Sequence, residues 1–271
     1  VKPLFVRAAC ARVGARIRAE AAAEMKRPAA EGGAASKKAA PGPQPKLKLL
    51  YFDIAGKGEP LRLAMHHAGL EFEDIRLTRE EFMTKKTSGE LRFGQVPALI
   101  VQDGSGVPVT LVQTGAIARY IGKLAPQSEL YPDDAIKAAQ VDALVDQASD
   151  MMCAVMCAKY QDRFGFDGAL GGPEGEGTKK VEAALRSEVM PRHFAFFESV
   201  LTASASGWIA ATDAPSIADF VLGAQFKQLE ESTMVDGKAL LQTHPKVRAF
   251  VEKFHAEASV RDWYAARQPA A

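Results

Sequence analysis

Residues 48–62 constrain the fold more than any other stretch, because they combine a buried strand with the start of a helix. Their sequence is KLLYFDIAGKGEPLR, in which an apolar run ends in an aromatic pair and two glycines bracket a turn. Pro60 then suits the first turn of a helix. A strand that leads into a helix N-terminus brings unpaired N–H groups and the positive end of the helix dipole together, so we expect an anionic ligand there. Tyr51 is either a donor to that ligand or only a strand aromatic.

The composition is typical of a soluble globular protein of one large or two ordinary domains. The chain has 271 residues, of which 47% are hydrophobic and 25% charged. No apolar run approaches the roughly 20 residues that cross a bilayer, so no membrane partner is expected and a cytoplasmic location is predicted. Three cysteines, Cys10, Cys153 and Cys157, argue against a disulfide framework.

Charge is distributed unevenly along the chain. Residues 1–46 contain ten Lys and Arg against three Glu, whereas residues 47–271 contain 24 against 30 acidic residues. The mildly acidic second part does not suggest a groove for nucleic acid. In the basic leader, residues 1–46, Arg12 and Arg16 alternate with Val13 and Ile17 in a pattern that predicts either an organellar targeting segment or a disordered low-complexity tail.

The element order predicted for residues 47–125 is strand, helix, strand, helix, hairpin, helix. The helix after the Tyr51 turn ends at Gly69, residues 71–77 form an edge strand, and residues 80–86 form a weak helix or a loop. Pro97 lies at the start of an apolar strand, where it cannot donate to a sheet. Thr114 is expected to cap the last helix. This βαβαββα order predicts an α/β domain with a thioredoxin-like fold.

Residues 133–267 predict an all-helical domain. A helical stripe is expected from Val141 through Leu144, Val145, Ala148, Met152 and Val155 to Met156. Residues 164–177 hold six glycines and predict an exposed loop. Pro191 predicts a kink or break within residues 178–203. Ser216 and Asp219 form a signal that resembles a capping box, which we interpret as structural.

Three segments of the first domain resemble the signature segments of the glutathione transferases, most closely those of the sigma class. They are Tyr-Phe-x-x-x-Gly at 51–56, Phe-Gly-Gln-Val-Pro at 93–97 and Gln-Thr-x-Ala-Ile-Ala-Arg-Tyr at 113–120. The resemblance covers about residues 47–267.

The resemblance implies a role for each matching residue at a glutathione site. Tyr51 would donate a hydrogen bond to the glutathione sulfur, and Val96 would offer its backbone to the cysteinyl part before a cis Pro97. Gln113 and Thr114 would hold the γ-glutamyl carboxylate at a helix N-terminus. The remaining residues implied to bind glutathione are Phe82, Lys86, Gln95 and Asp150.

The resemblance also implies a homodimer, in which Asp150 reaches the glutathione held by the partner. Asp142, Asp146 and Asp150 line one helix face, and a nearby cation would offset their repulsion. Without the resemblance, a solvated acidic face is the simpler interpretation. The implied second-substrate pocket, for hydrophobic electrophiles, contains Ile54, Lys57, Met152, Met156 and Cys157. The two cysteines at 153 and 157 are expected to be partly buried thiols, and no metal site is predicted.

The function predicted from this resemblance is conjugation of glutathione to small electrophiles, as in detoxification. One alternative is a glutathione-dependent isomerase of the prostaglandin D synthase type, although Lys57 and Cys157 stand where those enzymes often carry Arg and Trp. Another is a non-catalytic scaffold or crystallin-like protein. A glutaredoxin-like reductase is disfavoured because residues 51–59 contain no cysteine.

Overall fold

A computed structural model describes residues 44–104 and 107–267 of the chain. Most of the predicted basic leader, residues 1–43, lies outside the described residues, as does Cys10. Among the described helices, none combines the length and the apolar character that a bilayer-spanning helix needs.

The first domain contains four strands and three helices in the predicted order. These elements are β1 Lys46–Phe52, α1 Glu59–His67, β2 Phe72–Leu77, α2 Arg79–Thr87, β3 Ala98–Gln102, β4 Val109–Val112 and α3 Thr114–Leu124. The strand order is β2-β1-β3-β4, with β1 parallel to β2 and antiparallel to β3. β4 pairs antiparallel with β3. The βαβαββα prediction and the edge position of β2 are therefore confirmed.

The second domain is helical over the described residues. Its helices are α4 Ala135–Lys159, α5 Gln161–Phe164, α6 Asp167–Leu170, α7 Glu176–Ala184, α8 Met190–Ala203, α9 Ile217–Glu230, α10 Gly237–Thr243, α11 Pro245–Ala256 and α12 Ala258–Ala265. A π-helical turn at Leu185–Val189 separates α7 from α8 directly before Pro191. This turn is the predicted interruption.

Alternation along β1 divides the apolar core between the two faces of the sheet. Leu47 and Leu49 face the main core, which continues into the helical domain through residues such as Phe220. Leu50 faces a smaller cluster with Leu77. The sheet is thus covered on both faces, and one continuous core joins the two domains.

A fully buried arginine in α1 fixes the turn that follows β1. The Arg62 Nη1 donates to the Ile54 carbonyl at 2.8 Å and to Glu59 Oε2 at 3.1 Å, and Nη2 donates to the Phe52 carbonyl at 3.0 Å. The Arg62 Nε donates to Asp74 Oδ1 at 3.0 Å. Because these acceptors come from β1, the turn, α1 and β2, one guanidinium holds the whole junction in place.

Two local predictions were wrong, and one open alternative is resolved. Thr114 does not cap α3, because Gln113 occupies the N-cap position with φ 74° and Thr114 is already helical. The predicted loop at 164–177 contains the short helix α6. For residues 80–86, predicted as a weak helix or a loop, the structure shows the helix: they belong to α2, which begins with a capping box between Thr78 and Glu81. A local signal for α2 was present in the sequence, since Thr followed three residues later by Glu predicts a helix start.

The buried face of α4 also differs from the predicted stripe. Met151 and Ala158 are buried, whereas Met152 and Met156 are only half-buried. The main core takes in Met152 only as a partly buried neighbour. The buried face is rotated because α4 packs against α9 and also against the short helices that follow α4. A single apolar stripe predicts packing on one side only.

Candidate functional site

Tyr51 lies at the end of β1 with its ring enclosed by the glycine turn. Its side chain is 7% exposed, and its hydroxyl oxygen accepts a hydrogen bond from the Lys57 N–H at 2.9 Å. A Cβ placed on Gly56 would lie 2.4 Å from the hydroxyl, and one placed on Gly58 would lie 2.5 Å from Cδ1 of the ring. The turn therefore needs glycine at both positions to pack this closely.

Burial raises the pKa of the Tyr51 phenol above its ordinary value, and the hydrogen bond from Lys57 only partly opposes this effect. The phenol stays protonated at neutral pH. Because its oxygen already accepts a bond from Lys57, its own O–H can donate to a bound anion. Among the described residues, the Lys57 N–H is the hydrogen-bond partner of this hydroxyl.

A cleft opens beside Tyr51 between the two domains. It is lined by Lys57, Phe93, Gln95, Val96, Pro97, Val112, Gln113, Thr114 and Arg163. These residues come from the turn after β1, the entrance to β3, the end of β4, the start of α3 and the short helix α5. The Val96–Pro97 peptide bond at the entrance to β3 is cis, as the family resemblance implied.

The start of α3 supplies backbone donors to the cleft. Gln113 is exposed and makes no capping bond from its side chain, so the first-turn N–H groups of α3 have no side-chain cap. The Thr114 hydroxyl donates to the Lys57 carbonyl at 3.1 Å, which ties α3 to the Tyr51 turn. A helix N-terminus of this kind favours a carboxylate.

The cleft brings together six of the predicted residues, with Tyr51 beside them. These six are Lys57, Gln95, Val96, Pro97, Gln113 and Thr114. Two further predicted residues, Phe82 and Lys86, are not among the residues that line the cleft. Phe82 packs against the smaller core cluster with its ring centroid 5.1 Å from that of Phe52, and Lys86 is exposed with its aliphatic stem against Gly94.

The predicted second-substrate residues differ in how far they are exposed. Ile54 is 56% exposed, while Met152 packs partly against the main core. Cys157 is half-buried, and Cys153 is exposed rather than partly buried as predicted. Met156 is half-buried on α4.

Arg119 of α3 is the cation that offsets the predicted acidic ladder on α4. Its guanidinium pairs with Asp142 at 2.5 Å and with Asp146 at 2.9 Å. Asp150 is exposed on the next turn of α4 and lies outside this pairing. Over the described part of the chain, no group of three or more His, Cys, Asp or Glu side chains is placed to bind a metal ion.

Sequence reasoning missed three cleft residues, Phe93, Val112 and Arg163. Phe93 belongs to the Phe-Gly-Gln-Val-Pro segment, so its position was available from the sequence; it is 64% exposed with φ 61°. Val112 directly precedes Gln113 and was equally within reach. Arg163 carried no signal, because only the packing of the helical domain brings α5 to the cleft.

Comparisons with known proteins agree with this arrangement. Residues 47–123 match the family model for the glutathione S-transferase N-terminal domain, and residues 168–267 match the model for the C-terminal domain. Glutathione S-transferase 1 of Ascaris suum is 33% identical over 226 residues, which are 82% of this chain and 97% of the relative. A Caenorhabditis elegans protein named "Probable glutathione S-transferase 7" is 32% identical over 223 residues, which cover 81% and 96%. The crystal structure of the glutathione S-transferase from Ascaris lumbricoides is 29% identical with a TM-score of 0.63, covering 83% of this chain and 99% of that one.

A thioredoxin-like domain with its cleft at a cis-proline, followed by a helical domain, defines the architectural class of this protein. At the level of sequence, the chain belongs to the glutathione S-transferase family, whose members are enzymes that use glutathione as co-substrate.

Proposed function

We propose that this chain conjugates the thiolate of glutathione to small electrophiles. The observation that carries the proposal is the buried, protonated hydroxyl of Tyr51, which already accepts from Lys57 and can donate at the edge of the cleft. The sulfur of a thiol bound at this edge of the cleft would accept a hydrogen bond from the Tyr51 O–H. A non-catalytic scaffold would not need such a group.

The chemistry follows from the protonation state of the thiol. A free thiol with a pKa near 8.5 is mostly protonated at neutral pH, and the thiolate is the nucleophile. A hydrogen bond from Tyr51 to sulfur favours the thiolate, and a shift of one to two units corresponds to about 1.4 to 2.7 kcal/mol. The thiol proton passes to solvent, sulfur forms a bond to the electrophilic carbon, and the leaving group departs with its electron pair.

We assign glutathione to the cleft in an extended pose. The γ-glutamyl carboxylate meets the N-terminus of α3 with the Gln113 side chain, while Thr114 is engaged with Lys57. The backbone of Val96 pairs with the cysteinyl unit, beside Gln95. Lys86 is assigned to the glycyl carboxylate, since its stem lies against Gly94 next to the cleft. Phe82 packs against the ring of Phe52 and so supports the end of β1.

We further infer a homodimer of the sigma type with Asp150 facing the partner's glutathione. Asp150 is exposed, whereas its neighbours in the ladder are held by Arg119, so it remains available for a contact between subunits. In this proposal residues 47–125 bind glutathione and residues 133–267 supply the electrophile pocket and the interface. The half-buried Met156 and Cys157 of α4 and the exposed Ile54 then border the electrophile.

A Tyr51→Phe variant tests the proposed function. The variant removes the sulfur donor, and with it the acceptor of the Lys57 N–H, but none of the groups assigned to the glutathione carboxylates. We therefore expect conjugation of a chlorodinitrobenzene-type substrate at slightly acidic pH to fall about 10- to 100-fold with the KM for glutathione nearly intact. The pH at which kcat/KM rises should move upward by about one to two units.

Tyr131→Phe is the matched control for this variant. The Tyr131 hydroxyl donates to Asp142 at 2.9 Å, outside the cleft, so its removal should leave the pH profile in place. An unchanged rate and pH profile in Tyr51→Phe would refute the assignment of Tyr51.

A further inference from the structure

Two cations line the cleft without a carboxylate partner. Lys57 comes from the turn between β1 and α1, and Arg163 comes from α5 of the helical domain. Within residues 44–104 and 107–267, neither side chain forms an ion pair, and no lining residue of the cleft is acidic. The cleft therefore presents two positive charges that the described protein does not neutralise.

The helix that bears Arg163 is anchored by a buried glutamine. Gln161, only 5% exposed, donates through Nε2 to the Ala158 carbonyl at 2.9 Å and to the Thr178 hydroxyl at 2.8 Å. Its Oε1 accepts from the Gly172 N–H at 3.1 Å. With every polar atom of this side chain bonded to surrounding elements, α5 is held in place and Arg163 is positioned at the cleft.

Both cations lie at the sulfur end of the assigned glutathione pose. The Lys57 N–H is 2.9 Å from the Tyr51 hydroxyl, so the Lys57 side chain starts beside the donor to sulfur. Desolvation lowers the pKa of Lys57, and the positive charge of Arg163 lowers it further, as expected for two neighbouring cations. The N-terminus of α3 and Lys86 account for the two carboxylates of glutathione, which leaves Lys57 and Arg163 for another anion.

We propose that Lys57 and Arg163 form a cationic rim that selects electrophiles carrying a carboxylate near the reacting carbon. The inference rests on the proposed glutathione conjugation. An anionic electrophile is repelled by the glutathione thiolate as the two approach, and two unpaired cations beside the sulfur offset that repulsion. A neutral electrophile gains nothing comparable from the rim.

A matched substrate pair, chlorodinitrobenzoate and its methyl ester, isolates this effect. Both have the same reacting carbon and leaving group, and they differ in one negative charge and in how strongly the substituent withdraws electrons from the ring. The second difference is the same for every protein variant, so it cancels when the ratio is compared between variants. The measured quantity is kcat/KM for the acid divided by kcat/KM for the ester. Arg163→Gln and Lys57→Gln should each lower this ratio about fivefold, and the double variant should lower it more.

Three controls separate the rim from other effects. Lys159→Gln removes a cation that stacks on Tyr160 outside the cleft lining, so the ratio should stay within about twofold. Arg163→Lys keeps the charge and should restore most of the ratio. Raising the salt concentration from about 0.05 M to about 0.5 M should lower the ratio in the unsubstituted protein more than in the double variant.

The outcomes are distinguishable. A ratio that is unchanged in both single variants overturns the rim. If kcat/KM for the acid and for the ester then fall equally, the two cations act on the thiolate instead. Turnover of neither substrate by the unsubstituted protein would overturn the proposed conjugation itself. Turnover of the ester with an unchanged ratio would leave conjugation standing and reject only the rim.

Discussion

At the scale of single residues, the site depends on how closely a turn approaches the Tyr51 ring. The hydroxyl can act as a donor because burial keeps it protonated and because the Lys57 N–H supplies the bond that its oxygen accepts. Both conditions require a chain that passes within contact distance of the ring. Gly56, with φ 41°, makes that approach possible.

Gly56→Ala should therefore damage the site more than the fold. The new methyl group would lie 2.4 Å from the Tyr51 hydroxyl, so the ring or the turn must move and conjugation should fall by more than about tenfold. The positive φ alone should lower the free energy of unfolding by about 1 kcal/mol. Conjugation kinetics and denaturant unfolding measure the two effects.

Gly69→Ala is the matched control. Gly69 has a similar positive φ of 65°, but a Cβ there would meet nothing within 4 Å. It should show a comparable loss of stability with normal conjugation. Equal activity in the two alanine variants would contradict the contact with Tyr51.

At the scale of elements, the junction of β1 with α1 is held by the buried Arg62. The carboxylates of Glu59 and Asp74 have side-chain exposures of 7% and 15% and lie against a guanidinium that is fully buried. Trp263 of α12 adds a bond from its Nε1 to Glu59 Oε1 at 3.0 Å, which connects the junction to the end of the helical domain.

Arg62→Met should lower the free energy of unfolding by about 3 to 5 kcal/mol, because it leaves two partly buried carboxylates and two backbone carbonyls without this donor. Denaturant unfolding measures the loss. Arg248→Met removes a side chain that is 54% exposed from an i,i+4 pair with Glu252 and should change stability by no more than about 0.5 kcal/mol. A similar cost for both substitutions would show that burial of the charge is not the cause.

The start of α9 carries a carboxyl group whose ionisation should make stability depend on pH. Asp219 accepts hydrogen bonds from Ser216 and from the Ile209 N–H, but its burial dominates and raises its pKa to about 6. Because the folded-state pKa exceeds the unfolded value, this contribution to stability is present below pH 4 or so and is lost as the pH rises through about 6.

Asp219→Asn removes that titration. We expect the difference in free energy of unfolding between the unsubstituted protein and this variant to fall by up to about 3 kcal/mol as the pH rises from about 4 to about 7. Denaturant unfolding at several pH values measures it. A difference that does not vary with pH would show that Asp219 keeps an ordinary pKa in the folded protein.

At the scale of the whole molecule, the proposed homodimer completes the glutathione site with Asp150. Sedimentation should give a mass of twice 29.1 kDa. Asp150→Asn should raise the KM for glutathione about tenfold with little change in kcat, since it removes a ground-state contact to the glutathione amino group.

Asp146→Asn serves as the comparison, because Asp146 is 73% exposed on the same helix and pairs with Arg119 of its own chain. Its KM for glutathione should stay near that of the unsubstituted protein. A monomer with full glutathione affinity would contradict the proposed role of Asp150.

Much of the fold was predictable because its signals are local. Alternation and glycine punctuation located β1 and the turn after it, and the pairing of Ser216 with Asp219 located the start of α9. The roles of Tyr51 and Gln113 came from resemblance to a family, since no spacing rule assigns a thiol donor. Thr114 was misplaced as a cap because the left-handed conformation of Gln113 moves the helix boundary by one residue, and the local pattern does not reveal that conformation.

The sequence by itself determined the order of elements, the turn that presents Tyr51 and the presence of a helix that begins within one residue of Thr114, because periodicity, capping and turn preferences act over a few residues. Only the tertiary structure decided that Phe82 packs against Phe52 in the smaller core cluster, that Arg62 is buried at the centre of the junction and that Arg163 shares a cleft with Lys57. Those outcomes depend on how a continuous core packs two domains together, and residues more than a hundred positions apart meet only through that packing.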